Sequence, residues 1–540
     1  MTEHDETSVV SSLNREVLEG RLTRREALRR ASLLGLSATA LAGLGAGTPT
    51  RSASALPARQ DGEPVRGGTV RVGIPGSAAT FDPNVAIILE AIWPCELLYS
   101  SLVRINSDME IEPDLALSWE SNDAADEWTF QLREGVTWHD GEDFSSEDVV
   151  ATMERILDPD LASAFRANIL MIEEMETPSA TEIVFRLSEP YAEFPELMSN
   201  YQARITPAGR SDGLETAPIG TGPYVLADHV PGERTVLRRF DGYFDAENQG
   251  FLDEVQYLAI PEEATKAAAL TSGGIELANE FLPTTLPTIE GAPGITTTEI
   301  ITGGHQPIAM DVTQEPFDDV RVRTALKLCA ERDGFLAVVL QGHGETAADQ
   351  PVPSVDPMYG AIPIPAQDIQ RAQELLAEAG YPDGIDLTLQ TSSGRPGMQE
   401  SAIAFKDMAA AANIRIEIVS HPVDNYWADI WKKTPFFTTN WTGRPTAEQM
   451  MSLLYLCDSP GTEGKWCNED FDALMAEARR ATDADERRNI LTEAQQLLAD
   501  EGPVLIPYFR SYITAFTSRL HGFQAHPLRF LDLRRAWLEG

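Results

Sequence analysis

Strands and helices interleave along almost the whole of this 540-residue chain, and no stretch segregates one type from the other. Five segments, 69–74 (TVRVGI), 128–132, 183–187, 385–389 and 414–418, alternate apolar and polar residues with the period of two expected of a half-buried strand. Between them lie segments with a 3.6-residue period and sharp ends. In DIQRAQELLAEAGYPDG, Asp368 is the expected N-cap, and Ile369, Ala372, Leu375, Leu376 and Ala379 form one apolar face. Gly380 and then Pro382 stop that helix. Asn468 opens a second helix with Phe471, Leu474, Met475 and Ala478 as its stripe, and Asp485 is the expected start of a third that ends at Gly502-Pro503. YVLADHV and TVLRRF, on either side of Pro231-Gly232, read as a hairpin. Such a pattern folds as mixed α/β layers. The length accommodates roughly three or four domains. No long linker follows the polar stretch that ends near Gly67, so the domains are expected to lie against one another, joined by chain crossings.

Two local motifs sharpen this expectation. Trp128, Phe130 and Leu132 share one face of a strand, Gly135 turns the chain, and Trp138 begins a loop closed by Asp140-Gly141. Ser145 and Asp148 then have the spacing of a capping box ahead of the apolar positions Val149, Val150, Met153 and Ile156. In Gly220-Thr221-Gly222-Pro223-Tyr224, the two glycines permit a close backbone approach, expected near a crossing between domains.

The charge balance excludes some functions. With 84 Asp+Glu against 42 Lys+Arg and a net charge of −42, a continuous surface for nucleic acid or anionic lipid is not expected. The charge favours a soluble monomer. The first 55 residues stand apart: Arg24-Arg25, an apolar stretch over 31–47, and Ser-Ala-Ser-Ala at 52–55 follow the order of a twin-arginine export signal with cleavage near Ala55. Exported chains meet oxidising surroundings, and Cys457 and Cys467, separated by a short polar loop, are candidates to close one small ring. Cys95 and Cys329 lie in apolar helical surroundings and are expected to be buried free thiols.

Enzymatic motifs find little support. Gly209-Arg210-Ser211-Asp212-Gly213 matches G-x-S-x-G, but Pro207 interrupts a strand leading in and Ala217-Pro218 prevents a helix from following. Gly220-Thr221-Gly222 lacks the third glycine of a dinucleotide loop, and no Walker-type sequence exists. His139, His305 and His421, like the other histidines, fall in no zinc-binding spacing. No catalytic residue, metal or cofactor is expected.

The longer blocks are more informative. LYSSLVRINSDMEIEPDLALSWE (98–120), EWTFQLREGVTWHDGEDFSSEDVVATMERILDP (127–159), APIGTGPYVL (217–226), FDDVRVRTALKLCAERDGFLAVVLQGHG (317–344), AQELLAEAGYPDG (372–384) and FDALMAEAR (471–479) occur in this order. Together the chain resembles the extracytoplasmic solute-binding proteins of the peptide, dipeptide and nickel family of ABC transporters. The resemblance implies an α/β, two-lobed periplasmic-binding-protein fold with a small domain inserted in the first lobe, three domains in all. The first lobe would comprise 66–102, 204–301 and 508–540, the small domain 103–203, and the second lobe 302–507. It implies a receptor rather than an enzyme, which encloses a small-molecule ligand between the lobes and delivers it to an ABC permease and its ATPase. A peptide or peptide-like solute comes first, and an oligosaccharide, another polar metabolite or a nickel complex follows. An exported hydrolase using Ser211 is the reading of a different class.

The resemblance also directs attention to the stretch NWTGRPTAEQ (440–449). Peptide-binding members carry aromatics in this region and an aspartate for the ligand's ammonium end. Here Trp441 matches, with Thr442 beside it, but no aspartate lies between Trp441 and Leu456. Arg444 and Pro445 stand there instead, and Glu448 is the only acid nearby. A guanidinium would repel an ammonium and favours a carboxylate or similar oxyanion. Pairing of Arg444 with an acidic neighbour is the competing role. Tyr426 and Trp427, in DNYWADIW with Trp431, are further candidates for the ligand site, although core packing is their other reading. Tyr99 and Phe81, with Asp82, are expected near the cleft from the first lobe by position in relatives.

Overall fold

A computed structural model describes residues 63–459 and 461–540. The twin-arginine segment, the apolar stretch after it and the expected cleavage near Ala55 lie outside the described residues. No described helix is long and apolar enough to cross a membrane.

Three sheets carry the architecture. The largest runs in the order Ile295–His305, Tyr508–Thr517, Leu277–Ala278, Thr69–Ile74, Glu254–Ala259, Arg234–Arg239, Tyr224–Val230, with Gly344–Thr346 also pairing Tyr508–Thr517. Its centre is parallel, Thr69–Ile74 pairing in register with Glu254–Ala259. Val70, Val72 and Ile74 are fully buried, where the alternation in TVRVGI puts them. The second sheet has the order Ile414–His421, Ile385–Ser392, Phe436–Thr438, Ile308–Met310, Val504–Leu505. The third is wholly antiparallel, Ala116–Ser121, Glu127–Leu132, Glu182–Leu187, Ile172–Ser179. Trp128, Phe130 and Leu132 sit on its buried face and share a core with Trp138, Met153 and Ile156. The chain therefore has separate cores, joined where strands pass from one sheet to another.

The passage between the two large sheets is a ribbon. Ile295–His305 pairs antiparallel with Tyr508–Thr517 from Ile295↔Thr517 to His305↔Phe509, with a register shift between Ile301 and His305. One strand leads out to Ile308–Met310, and the other comes back from Val504–Leu505.

Helix ends follow local chemistry. Asp368 accepts a hydrogen bond from the Arg371 N–H at 2.8 Å, and Asn468 accepts from Asp470 and Phe471. The third expected helix begins earlier than Asp485. Asp483 reaches the N–H groups of Asp485 and Glu486 and caps Ala484–Glu501, leaving Asp485 in the first turn, where its carboxylate meets the positive helix end and pairs with Arg488 at 2.7 Å. The Asp148 carboxylate accepts from the Ser145 N–H at 2.9 Å and from the Ala208 N–H at 2.8 Å, so the cap also holds the returning chain. Cys95 and Cys329 are buried and free, and burial pushes both thiols up. Cys457 and Cys467 are bonded to one another.

Gly220 and Gly222 lie against the end of helix Leu89–Leu98. A Cβ at Gly220 would stand 1.8 Å from the Leu98 carbonyl oxygen, and one at Gly222 would stand 2.3 Å from that of Leu97. His139 closes the arrangement: its Nδ1 accepts from the Gly220 N–H and its Nε2 donates to the Gly222 carbonyl. Burial lowers its pKa to about 4, so it is a neutral, satisfied core histidine. Since backbone cannot yield to a methyl group as a flexible side chain can, Gly220→Ala is expected to cost about 1–3 kcal/mol or more in urea unfolding. An unchanged midpoint would contradict this packing.

Candidate functional site

A cavity of about 380 Å³ opens beside the crossing ribbon. Its walls come from the start of the Leu89–Leu98 helix, the loop at 280–283, both ribbon strands, the 442–445 loop and the tail at 527–530. Ile87, Leu89, Phe281, Leu340 and Leu528 supply apolar surface, and Asn168, Asn200, Gln202 and Gln449 supply amides. The charged lining is Arg444, Arg510 and Arg529, with Glu280 and His343. An apolar lining with a few convergent polar groups is the usual make-up of a small-molecule site.

Arg444 is held by its own loop. Its Nη1 donates to the Thr442 carbonyl at 3.2 Å, the Thr442 hydroxyl at 3.3 Å and the Gly443 carbonyl at 3.3 Å, and the guanidinium sits 5.9 Å from the Trp441 ring. Among the described residues no carboxylate reaches it. Glu448, its nearest acid in sequence, is engaged elsewhere: it accepts from Arg479 at 2.7 Å and from the hydroxyls of Ser452 and Tyr191. Neutral acceptors fix the loop and leave the charge uncompensated. Burial accordingly lowers the Arg444 pKa, with Tyr201 acting in the opposite sense.

Thr442, Arg444 and Pro445 line the cavity, whereas Trp441, Tyr426, Trp427, Trp431, Tyr99, Phe81 and Asp82 do not. Trp441 turns inward: its Nε1 donates to Glu463 Oε1 at 3.0 Å, and its backbone pairs with His305 at 3.0 and 3.1 Å. Trp431 donates to the same Glu463 oxygen at 2.9 Å. Trp427 packs edge-on between Tyr426 and Trp431. Tyr426 is buried, its hydroxyl donating to the Thr438 carbonyl at 2.5 Å. Tyr99 is fully buried at the end of the Leu89–Leu98 helix. Phe81 is buried edge-on against His229, and Asp82 pairs with Arg155. None of these aromatics lines the cavity. Ser211 lies in a loop of turns away from the cavity lining.

Sequence reasoning missed Glu463 and Arg510. Glu463 lies within the ring closed by Cys457 and Cys467, and it is fully buried under the 441 loop. Only the ring's proximity to an aromatic-rich stretch hinted at it. Arg510 stands in YFRSYITAFT as the one charged residue of a strand of aromatic, aliphatic and hydroxyl side chains. Its Nε is buried without a hydrogen-bond partner, as are Arg529 Nε, Gln449 Nε2 and Ser511 Oγ. His305, behind the glycines 303 and 304, is fully buried, and burial lowers its pKa to about 4, helped by Arg510 and Arg444. Its Nδ1 meets the Gly303 carbonyl at 2.8 Å. Among the described residues no group of three His, Cys, Asp or Glu is placed to hold a metal ion.

Known proteins share the family and the fold. The family described as bacterial extracellular solute-binding proteins, family 5, matches residues 110–462. A dipeptide-binding protein of Pseudomonas aeruginosa is 25% identical over 452 residues, covering 77% of this chain and 84% of that protein. The glutathione-binding protein GsiB of Escherichia coli K12 is 26% identical over 476 residues, covering 85% and 92%. Among solved structures, HbpA2 from Haemophilus parasuis superposes with a TM-score of 0.80 at 20% identity, covering 88% of this chain and 100% of the other. AgaA from A. tumefaciens R10, solved with agropinic acid, gives 0.73 at 24% identity, covering 88% and 99%.

Burial pushes the Glu463 carboxyl pKa up, with its bonds from the two indoles opposing. A raised pKa means that folding favours the protonated form, so this group's contribution is present in acid and is lost as pH rises through the folded-state value. Glu463→Gln keeps the acceptor and removes the charge. Its melting temperature is expected to exceed that of the parent at about pH 8, and the gap is expected to narrow toward about pH 5. Glu463→Ala strips two indole N–H groups of their acceptor and should cost about 1–3 kcal/mol.

Proposed function

The chain belongs to the bacterial extracellular solute-binding proteins of family 5 and is the solute-binding component of an ABC importer, a receptor and not an enzyme; on that premise we propose that its solute is a peptide or peptide-like organic acid whose carboxylate is taken by Arg444. The carrying observation is that this guanidinium lines the cavity with no carboxylate partner among the described residues. The related proteins named above for dipeptide and glutathione binding, and the neighbour holding agropinic acid, support a peptide-like or acidic solute. An uncharged oligosaccharide would make less use of that charge than a carboxylate does.

In this reading 66–102, 204–301 and 508–540 act as the first lobe, 103–203 as the small inserted domain and 302–507 as the second lobe, with the ribbon as hinge. Arg444 would approach from one lobe and Arg529 from the other. Because a ligand contacts both sides only when they are closed, it shifts the open and closed populations by its differential affinity. The receptor works as a monomer outside the cytoplasmic membrane after twin-arginine export. It hands the solute to a permease coupled to a cytoplasmic ATPase.

Isothermal titration tests the assignment. Arg444→Ala is expected to weaken acidic acyl peptides about ten-fold more than their neutral amides, because a charge-assisted hydrogen bond contributes about 1.5–3 kcal/mol. Equal losses would make Arg444 a loop-holding residue only.

A further inference from the structure

Arg510 and Arg444 form an unusual pair in this chain. The protein holds twice as many acids as bases, and most of its buried arginines use them: Arg332 pairs with Asp349 at 2.5 Å, Arg534 with Asp532 at 2.9 Å, and Arg204 with Glu96, whereas Arg323 ends on the carbonyls of Phe317 and Glu501. In the cavity only Arg529 is neutralised, by Glu280. His343 meets Glu299 at 3.0 Å. Among the described residues no carboxylate lies within ion-pair distance of Arg510 or of Arg444. Both guanidiniums are half-buried at the cavity wall, and partial loss of water lowers the pKa of both groups, opposed at Arg510 by the charge of Glu280 and at Arg444 by Tyr201. Arg323 Nη1 and Nη2 are satisfied by backbone carbonyls, but among the described residues the Arg510 Nε finds no acceptor and Arg444 reaches only the neutral acceptors of its own loop.

Both charges flank one backbone segment. A Cβ at Gly304 would stand 3.5 Å from Arg510 Nε and Nη2, and a Cβ at Gly303 would stand 2.6 Å from the Gly443 Cα, next to Arg444. The Gly303-Gly304 pair therefore lets the strand bearing one guanidinium and the loop bearing the other close on the same cavity edge. The unpartnered Arg510 Nε, Gln449 Nε2 and Ser511 Oγ add groups able to donate hydrogen bonds on lining residues. An ammonium would find only Glu280, already occupied, and would face Arg529 beside it.

We propose that the solute captured here is a small organic diacid without a free ammonium, one anionic group held by Arg444 and the second by Arg510, its apolar body lying against Phe281, Leu340 and Leu528. Arg510 is thus a specificity-determining residue. The proposal rests on the receptor reading and narrows it from peptide-like acids to dianions. Charge-assisted bonds from two guanidiniums discriminate by charge count, since each anionic group lost leaves one arginine unpaired.

The test is calorimetric titration of the full exported chain with N-acetyl-Ala-Glu, N-acetyl-Ala-Gln, N-acetyl-Ala-Gln amide and Ala-Glu, which carry two carboxylates, one, none, and two with an ammonium. Native mass spectrometry of the protein as purified gives the formula of any retained solute. N-acetyl-Ala-Glu is expected to bind about ten-fold or more tightly than N-acetyl-Ala-Gln. Arg510→Gln should erase that difference while leaving N-acetyl-Ala-Gln nearly unchanged, and Arg510→Lys should restore part of it. Should Arg510→Gln not fold by circular dichroism, the lysine variant and the probe order decide. A retained diacid supports the proposal even where the acyl peptides do not bind. Equal or tighter binding of the amide or of Ala-Glu, a retained solute with fewer than two acidic groups, or equal losses for all probes in Arg510→Gln overturns it while the receptor reading stands. No binding of any probe at millimolar concentration and no retained solute overturns both.

Discussion

The structure depends on one backbone pairing, that between Ile295–His305 and Tyr508–Thr517. These strands are sequence-distant, yet they form the ribbon by which the chain leaves the largest sheet and returns to it. The pairing places Arg510 and Ser511 on the cavity wall, and its irregular end at 302–304 lets the 441–445 loop approach through Gly303 and Gly443. His305 then bonds Trp441 along the backbone, which orients the loop that presents Arg444. In the two-lobe reading proposed above, this ribbon is the hinge, since the strands it joins belong to separate cores.

Around that ribbon the protein spends its many carboxylates on structure. Asp349 and Asp532 neutralise buried arginines, and Glu448 gathers Arg479, Ser452 and Tyr191 between the segment near 191 and the helices beyond 447. Buried ion pairs contribute modest net stability because both charges are desolvated, but removing one partner is costly. Such networks therefore specify which surfaces meet. Against that background Arg444 and Arg510, without a carboxylate partner among the described residues, are the charges that the proposed solute would neutralise.

The aromatic stretch shows why a site is harder to read than a fold. Trp441, Trp427 and Tyr426 have the composition of a binding surface, but Trp441 is turned by Glu463, a buried acceptor 22 residues further on that also takes the Trp431 indole N–H, Tyr426 by the Thr438 carbonyl, and Trp427 by packing between Tyr426 and Trp431. Asp485 teaches the same lesson on a smaller scale: the pattern points to it as the helix start, whereas Asp483 caps because its carboxylate reaches two free N–H groups. Arg510 carried no local signal beyond being the one charged residue of its strand.

From the sequence alone came the mixed α/β class, the buried alternation in TVRVGI and EWTFQL, the caps at Asp368 and Asn468, the close approach at Gly220 and Gly222, and the family likeness carried by blocks in order. These features are set by near neighbours and by side-chain periodicity, so they are written in the chain. The cavity is not. It draws Glu280, Arg444, Arg510 and Arg529 from four distant segments, and whether each charge is paired or free depends on which carboxylates the packing brings within reach. Only the tertiary structure decides that, because ion pairing is a property of distance in space and desolvation, neither of which a linear sequence contains.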